Sequence, residues 1–150
     1  MKTKLTPFVT VLAVALFEVG CASLNSDPTA KIQGTWEGIM VKGPNKWYIE
    51  VVKDELKFGL LGSDDYWYKG KFTANEAETP HQCDLTLTDI GSSAKSELAS
   101  VEGPLEGKVI PCIYKFEDKD TILFVTTIPG SDRPKDFTRE EGYVYRLKRK

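Results

Sequence analysis

The chain has few of the residues on which catalytic and metal sites usually depend. Its 150 residues include one histidine, His81, and three cysteines. A hydrolase needs a nucleophile with an oriented base, and His81 is the only base of the usual type, so no catalytic site is indicated. His81, Cys83 and Cys112 could share a zinc ion only with further ligands, and pairing of the two thiols would exclude it. We therefore expect no metal and no cofactor.

The chain also lacks an excess of basic charge and long stretches of helical periodicity. Its formal net charge is −2, whereas a nucleic-acid-binding protein needs a basic face that displaces counterions from phosphate. No repeat of solenoid length is present. Aromatic and β-branched residues are plentiful, which favours strands. These features predict one all-β domain and exclude nucleic acid as a partner.

A long apolar run occurs once, over residues 7–17, after Lys2 and Lys4 and before a group of small residues. A charged start, an apolar centre and a small-residue end are typical of a bacterial export signal. The run is too short for a permanent membrane helix, which needs roughly 20 apolar residues. We interpret residues 1–20 as a cleaved signal peptide; the alternative is a buried core helix.

The end of this segment, Val-Gly-Cys at 19–21, resembles a lipobox, the motif of bacterial lipoproteins in which cysteine becomes the acylated first residue. The resemblance implies lipid on Cys21 and a firm membrane anchor. Glu18 stands where that family usually has leucine, which leaves open cleavage by the general signal peptidase near 22–23. By analogy with lipoprotein sorting, the absence of aspartate after Cys21 favours the outer membrane as the location, with the protein facing the periplasm.

Residues 21–31 read as a short polar tether, and residues 32–150 as a barrel domain. Short apolar runs with turn signals at regular spacing indicate a sandwich or barrel. Alternation places Trp47, Ile49 and Val51 on one face of a strand. Eight strands are predicted, at roughly 33–42, 46–53, 55–61, 66–73, 81–89, 108–117, 120–128 and 142–149.

Gly34-Thr35-Trp36 resembles the G-x-W signature of lipocalins, in which the tryptophan plugs one barrel end beneath a basic side chain of the last strand. In an up-and-down barrel of eight strands, the last strand runs antiparallel beside the first. Alternation then predicts Arg149 as the cation over Trp36, with Arg146 as second choice. The alternative is an exposed basic tail at 146–150.

A narrower resemblance covers nearly the whole chain after residue 31. The segments IQGTWEG, PHQCDLTL, CIYKFEDKDTILF and RPKDF, with the ending LKR, are similar to a small lipocalin-like domain family of unknown function that is abundant in planctomycete proteomes. Cys112 replaces the glycine of that pattern, and Cys83 precedes its aspartate. The resemblance implies an eight-stranded up-and-down antiparallel barrel and no particular activity.

Cys83 and Cys112 fall on strands that are sequential neighbours in this topology. An exported protein meets an oxidising compartment, which favours a disulfide between them. Two free buried thiols are the alternative, because buried cysteine packs as a small apolar residue.

Two long connections, 91–107 and 129–142, are of the kind that is usually functional or mobile. The second contains Arg133, Pro134 and Phe137. Phe137 could tuck under the barrel mouth, and Arg133 could pair with an acid or bind loop carbonyls. Locking of the loop and contact with a ligand or partner are both open.

Two functions fit this architecture. In the first, the barrel is non-enzymatic and binds a small apolar or amphipathic ligand. In the second, a barrel filled by its own side chains presents its loops to an envelope protein as an inhibitor or immunity factor. For the first function, the candidate lining residues are Trp47, Phe58, Tyr66, Tyr68 and Phe72.

Overall fold

The structure, a computed structural model, describes residues 29–150, so the predicted signal peptide and Cys21 lie outside the described residues. These residues form a closed barrel in which each strand pairs antiparallel with the next and the last pairs with the first. The prediction of an all-β, eight-stranded up-and-down barrel is confirmed. The strands are β1 (Gly34–Met40), β2 (Lys46–Val52), β3 (Glu55–Leu60), β4 (Trp67–Asn75), β5 (His81–Ile90), β6 (Val109–Asp118), β7 (Thr121–Thr126) and β8 (Tyr143–Arg149).

Alternation along the strands creates the interior. Trp47, Ile49 and Val51 of β2 are buried, and Ile49 lies opposite Phe58 of β3, which is also buried. Side chains on successive strand residues point to opposite faces, so a period of two fills the barrel from one side of the sheet. The buried residues of the interior belong to one apolar cluster.

Closure depends on the pairing of β1 with β8, which runs from Trp36 opposite Arg149 to Met40 opposite Tyr145. Because β1 and β8 are each paired on both sides, the sheet formed by residues 29–150 has no free edge that could recruit another strand.

Successive connections of such a barrel alternate between its two ends. The connections at 53–54, 76–80 and 119–120 share one end with the start of β1, and we call this the closed end. The connections at 41–45, 61–66, 91–108 and 127–142 share the other end, which we call the mouth. Both of the long connections predicted from the sequence therefore lie at the mouth.

The connection between β5 and β6 contains a short helix, α1 (Ser92–Glu97), within a segment that was predicted only as a long connection. Ala94 of α1 and Leu98 just after it are buried in the interior cluster. A single apolar helical turn has too short a pattern to stand out in the sequence. The helix covers part of the mouth.

The connection between β7 and β8 lies against the outside of the barrel. Phe137 packs on an external cluster of Ile113, Val125 and Val144, and the Lys115 ammonium lies 4.6 Å from the centre of its ring. The prediction that Phe137 lies under the mouth is therefore wrong. Outward-facing residues of three adjacent strands form an apolar patch, and Phe137 shields it from water.

Packing against the barrel begins before the predicted boundary at residue 32. Thr29 is buried, and the Ile32 amide donates a hydrogen bond to its carbonyl oxygen. Gln33 also donates to the Thr29 hydroxyl. The last residues of the predicted tether are thus part of the folded domain. Within residues 29–150, no helix has the length and apolar character needed to cross a membrane.

Candidate ligand cavity and the plug beneath it

The closed end is sealed by Trp36. Its side chain is fully buried, and the indole Nε1 donates a 2.8 Å hydrogen bond to the carbonyl oxygen of Ile32. The ring also contacts Phe116, with 6.1 Å between centroids. The largest side chain of the closed end therefore has both its apolar surface and its one polar atom satisfied.

Arg149 lies over this indole, with its guanidinium carbon 4.1 Å from the ring centroid. Its two terminal nitrogens donate to the carbonyl oxygens of Gln33, at 2.6 Å, and Lys31, at 2.8 Å. A guanidinium offers a planar set of donors, so it can stack on an aromatic face and bind carbonyls at its edge simultaneously. Arg146, the second choice from the sequence, instead faces outward and pairs with Glu117.

Gly34 is required by the same arrangement. Its φ of +106° is a conformation that other residues rarely adopt. A Cβ at this position would also lie 3.4 Å from a terminal nitrogen of Arg149. All three residues of the predicted closure motif, Gly34, Trp36 and Arg149, therefore meet at the closed end.

We call Trp36 and the Arg149 guanidinium over it the plug. Above the plug, the barrel encloses a cavity of about 510 Å³ that opens at the mouth. Ligand sites in proteins commonly have volumes of roughly 300 to 1,000 Å³. The apolar wall is formed by Met40, Trp47, Leu56, Phe58, Leu60, Tyr66, Tyr68, Leu85, Leu98, Ile110, Phe124, Ile128, Tyr143 and Tyr145. The remaining lining residues are Asn45, Glu97, Ser100, Cys112, Thr126 and Thr127, with Pro129 at the rim.

Four of the five predicted lining residues, Trp47, Phe58, Tyr66 and Tyr68, do line this cavity. Phe72 is buried in the interior cluster and is not part of the cavity wall. It lies four residues beyond Tyr68 on β4, about 13 Å along a strand. Its amide donates to the Asp54 carbonyl oxygen in a closed-end turn, so Phe72 fills the barrel below the cavity.

The aromatic residues of the wall contact one another. Trp47 stacks on Phe58, with centroids 5.1 Å apart, and meets Tyr66 and Tyr145 edge-on at 5.5 and 5.2 Å. Phe58 also stacks on Tyr68. Offset and edge-to-face contacts at these distances are favourable. They hold a group of five rings, which we call the aromatic wall, on one side of the cavity.

The indole nitrogen of Trp47 has no hydrogen-bond acceptor. Within residues 29–150 it is the one buried side-chain nitrogen or oxygen without a partner. A buried donor that lacks an acceptor typically costs about 1 to 3 kcal/mol. The two buried tryptophans thus differ, because Trp36 is satisfied and Trp47 is not.

The hydroxyl groups of Tyr66, Tyr68 and Tyr145 in the aromatic wall remain protonated over the physiological range. Burial, together with a hydrogen bond to Glu97, raises the pKa of Tyr66 far above its usual value. Burial likewise raises the pKa of Tyr68 and Tyr145. Tyr66 donates its hydroxyl proton to the Glu97 carboxylate at the mouth. The wall therefore carries neutral hydroxyl groups rather than phenolates.

The helix α1 is fastened to the connection between β3 and β4 by Asp65. One carboxylate oxygen accepts from Ser63 at 3.0 Å, and the other accepts from Ser93 at 2.7 Å and Ser92 at 3.4 Å. These bonds, that from Ser93 first, lower the pKa of Asp65 below its ordinary value. The Ser93 amide also donates to the Asp65 carbonyl oxygen. Asp65 and the Tyr66–Glu97 bond thus hold the two ends of α1 to the same connection.

Cys83 and Cys112 lie directly opposite each other on β5 and β6, as their predicted neighbouring strands require. Both are free, buried thiols, so the predicted disulfide is not present. Burial raises the pKa of the Cys83 thiol well above its usual value. The two side chains pack as small apolar residues, and Cys112 also lines the cavity.

Arg133 holds the connection between β7 and β8 against the outer face of these two strands. One nitrogen donates to the carbonyl oxygens of Cys83, at 2.7 Å, and Cys112, at 2.8 Å. The other forms a 2.7 Å ion pair with Asp84. Pro134 beside it is buried. This motif locks the loop, whereas the cavity is lined by other residues.

His81 lies at the start of β5, next to Tyr114, and its Nδ1 lies 3.2 Å from the carbonyl oxygen of Glu78. It does not line the cavity. Over the part of the chain that the structure describes, no three His, Cys, Asp or Glu side chains come together as metal ligands.

The chain was compared with protein-family models, with curated proteins and with solved structures. None of these comparisons finds a match. The similarity to the lipocalin-like family therefore stays a prediction that rests on the sequence motifs, and the fold and the cavity stand on the structure alone.

Proposed function

We propose that this protein is a non-enzymatic binding protein whose barrel takes up one small apolar or amphipathic ligand through the mouth. The observation that carries the proposal is the cavity of about 510 Å³, lined mostly by aromatic and aliphatic side chains. Burial of apolar ligand surface there would contribute about 25 cal/mol per Å² before the costs of association.

The two ends of the barrel support this function in different ways. The Trp36–Arg149 plug closes the bottom without using cavity side chains. The aromatic wall is fixed by ring-to-ring contacts, so little side-chain freedom is lost when a ligand enters. A cavity of this size favours ligand uptake over the alternative of a side-chain-filled barrel that acts only through its loops.

In this proposal the protein acts at the bacterial envelope as a lipoprotein, anchored through Cys21 to the outer membrane and facing the periplasm. This part rests on the sequence pattern of residues 1–23. Labelling of cells with a fatty-acid analogue tests it. The protein should carry label that the Cys21→Ser variant lacks, and an unlabelled wild-type protein would contradict the anchor.

Ligand uptake is tested with the full chain by displacement of a fluorescent apolar probe and by native mass spectrometry after gentle extraction. Ile110→Trp adds a large side chain inside the cavity, whereas Val109→Trp adds the same side chain at the exposed neighbouring position. We expect Ile110→Trp to abolish probe binding and Val109→Trp to retain it. Equal binding by both variants, or no binding by the wild type, would contradict the proposal.

A further inference from the structure

The cavity wall carries charge of one sign only, which is negative. Among the lining residues that the structure describes, Glu97 is the one charged side chain, and none is lysine, arginine or histidine. A carboxylate that enters an apolar site without a cationic partner loses its hydration and gains no compensating ion pair. The cavity is therefore built against anionic ligands such as fatty acids.

The aromatic wall has the opposite preference. The face of an aromatic ring carries negative electrostatic potential, which attracts cations, and the attraction increases where water is excluded. Trp47, the strongest type of ring for this interaction, is grouped with Phe58 and three tyrosines. Groups of such rings are a recurring way to recognise quaternary ammonium ions.

Tyr66 connects the rings to the carboxylate. Its ring meets Trp47 edge-on at 5.5 Å, and its hydroxyl donates to Glu97. The single negative charge of the wall thus lies one side chain away from the rings, at the mouth where a ligand enters. Aliphatic residues such as Leu56, Leu85 and Ile110 offer an apolar surface for a tail in the same cavity.

We propose that the cavity selects an amphipathic organic cation, an alkylamine or alkyl quaternary ammonium, over a carboxylate of the same chain length. This inference rests on the proposed ligand uptake. The cationic head lies against the aromatic wall near Glu97, and the alkyl tail occupies the aliphatic part of the cavity.

The test compares three probes with the same tail, octyltrimethylammonium, 1-octanol and octanoate, by calorimetric titration of the full chain. We expect octyltrimethylammonium to bind about ten-fold or more tightly than octanoate, with 1-octanol between them. In Glu97→Gln the affinity for the cation should fall several-fold more than the affinity for 1-octanol.

Glu102→Gln is the matched control, because it removes the same charge from an exposed residue of the same connection that does not line the cavity. It should leave all three affinities unchanged, which separates the local effect of Glu97 from that of net charge. Glu97→Lys should reverse the order of octyltrimethylammonium and octanoate.

Binding of 1-octanol with no preference for the cation, or tighter binding of octanoate, would overturn this inference and leave ligand uptake standing. An equal loss of cation affinity in Glu97→Gln and Glu102→Gln would also overturn it. Failure of all three probes to bind would overturn ligand uptake itself.

Discussion

The two ends of the barrel differ in how their buried tryptophans are packed and hydrogen-bonded. At the closed end, Trp36 is buried with its nitrogen bonded to Ile32, and Arg149 binds two carbonyl oxygens above it. At the mouth, Trp47 is buried with no acceptor for its nitrogen. The closed end uses its aromatic residue to complete a packed core, and the mouth uses its aromatic residues to line a space.

The connections follow the same division. The turn at 53–54 is short, and the Gln33 side chain both accepts from and donates to the backbone of Lys53. The connection at 91–108 is long and contains a helix held by hydrogen bonds between exposed side chains. Segments with few buried contacts open at lower free energy than core strands. We therefore expect the hydrogen bonds that attach α1 to open at lower free energy than the closed end.

Among the predicted changes, loss of the Trp36 side chain should lower the free energy of unfolding most. Trp36→Ala removes a fully buried indole and leaves a void, so we expect the free energy of unfolding to fall by about 3 to 5 kcal/mol. Trp67→Ala, at a partly exposed outer position near the mouth, should cost less than half as much. Urea denaturation of both variants gives the comparison, and similar losses would contradict the special role of the closed end.

Substitution of Arg149 should cause the next largest loss of stability. Arg149→Met keeps an apolar stem over the indole but removes two hydrogen bonds from a charged donor, so we expect a loss of about 1.5 to 3 kcal/mol. Arg146→Met removes an exposed ion pair with Glu117 and should cost less than about 1 kcal/mol. Thermal unfolding of the pair measures the difference. A larger loss from Arg146→Met would rule out the guanidinium as part of the plug.

The two buried tryptophans offer a finer comparison. Trp36→Phe leaves the Ile32 carbonyl oxygen without its donor, whereas Trp47→Phe removes a nitrogen that has no partner. The loss of ring volume is the same, so Trp36→Phe should be less stable than Trp47→Phe by about 1 to 2 kcal/mol. Equal stabilities would show that the Trp47 nitrogen is satisfied in solution.

The smallest effect concerns the attachment of α1. The pKa of Asp65 is lowered below 3.8, so its hydrogen bonds stabilise α1 fully above that pH and are lost as the pH falls through the lower folded-state value. The protection of the α1 amides, measured as their hydrogen exchange relative to that of unprotected amides at the same pH, should therefore fall in that acidic range. Asp65→Asn should produce faster exchange at neutral pH.

The control for that prediction is Asp118→Asn at the closed end. Asp118 also has a lowered pKa, chiefly because it accepts from the Asp120 backbone amide. This variant should leave exchange of the α1 amides unchanged. Faster exchange in α1 from both variants would mean that the two ends are coupled rather than separate.

The sequence predicts the closed end better than the mouth. Alternation predicted the inward residues, and the meeting of first and last strands placed Arg149 opposite Trp36. These features follow from the period of two along each strand and from the even number of strands, which brings the last strand antiparallel beside the first. Neither property depends on the conformation of the connections.

The mouth depends on contacts that a sequence pattern does not contain. The packing of Phe137 on the outer face of the barrel depends on the relative positions of three strands, which a local sequence pattern does not contain. Phe72 shares a face of β4 with Tyr68, but it lies nearer the closed end and does not line the cavity. The prediction of a disulfide rested on neighbouring strands and on an oxidising compartment. The two strands are neighbours, but Cys83 and Cys112 are free and pack as small apolar residues.

The most direct test of ligand uptake at the mouth is a methyl NMR titration of the full chain with 1-octanol. Chemical-shift changes should concentrate at methyl groups that line the cavity, those of Leu56, Leu85 and Ile110, and be absent at Ile32 and Leu147 of the closed end. Saturable changes with that distribution are the result we expect. No saturable change, or changes confined to methyl groups outside the cavity, would contradict it.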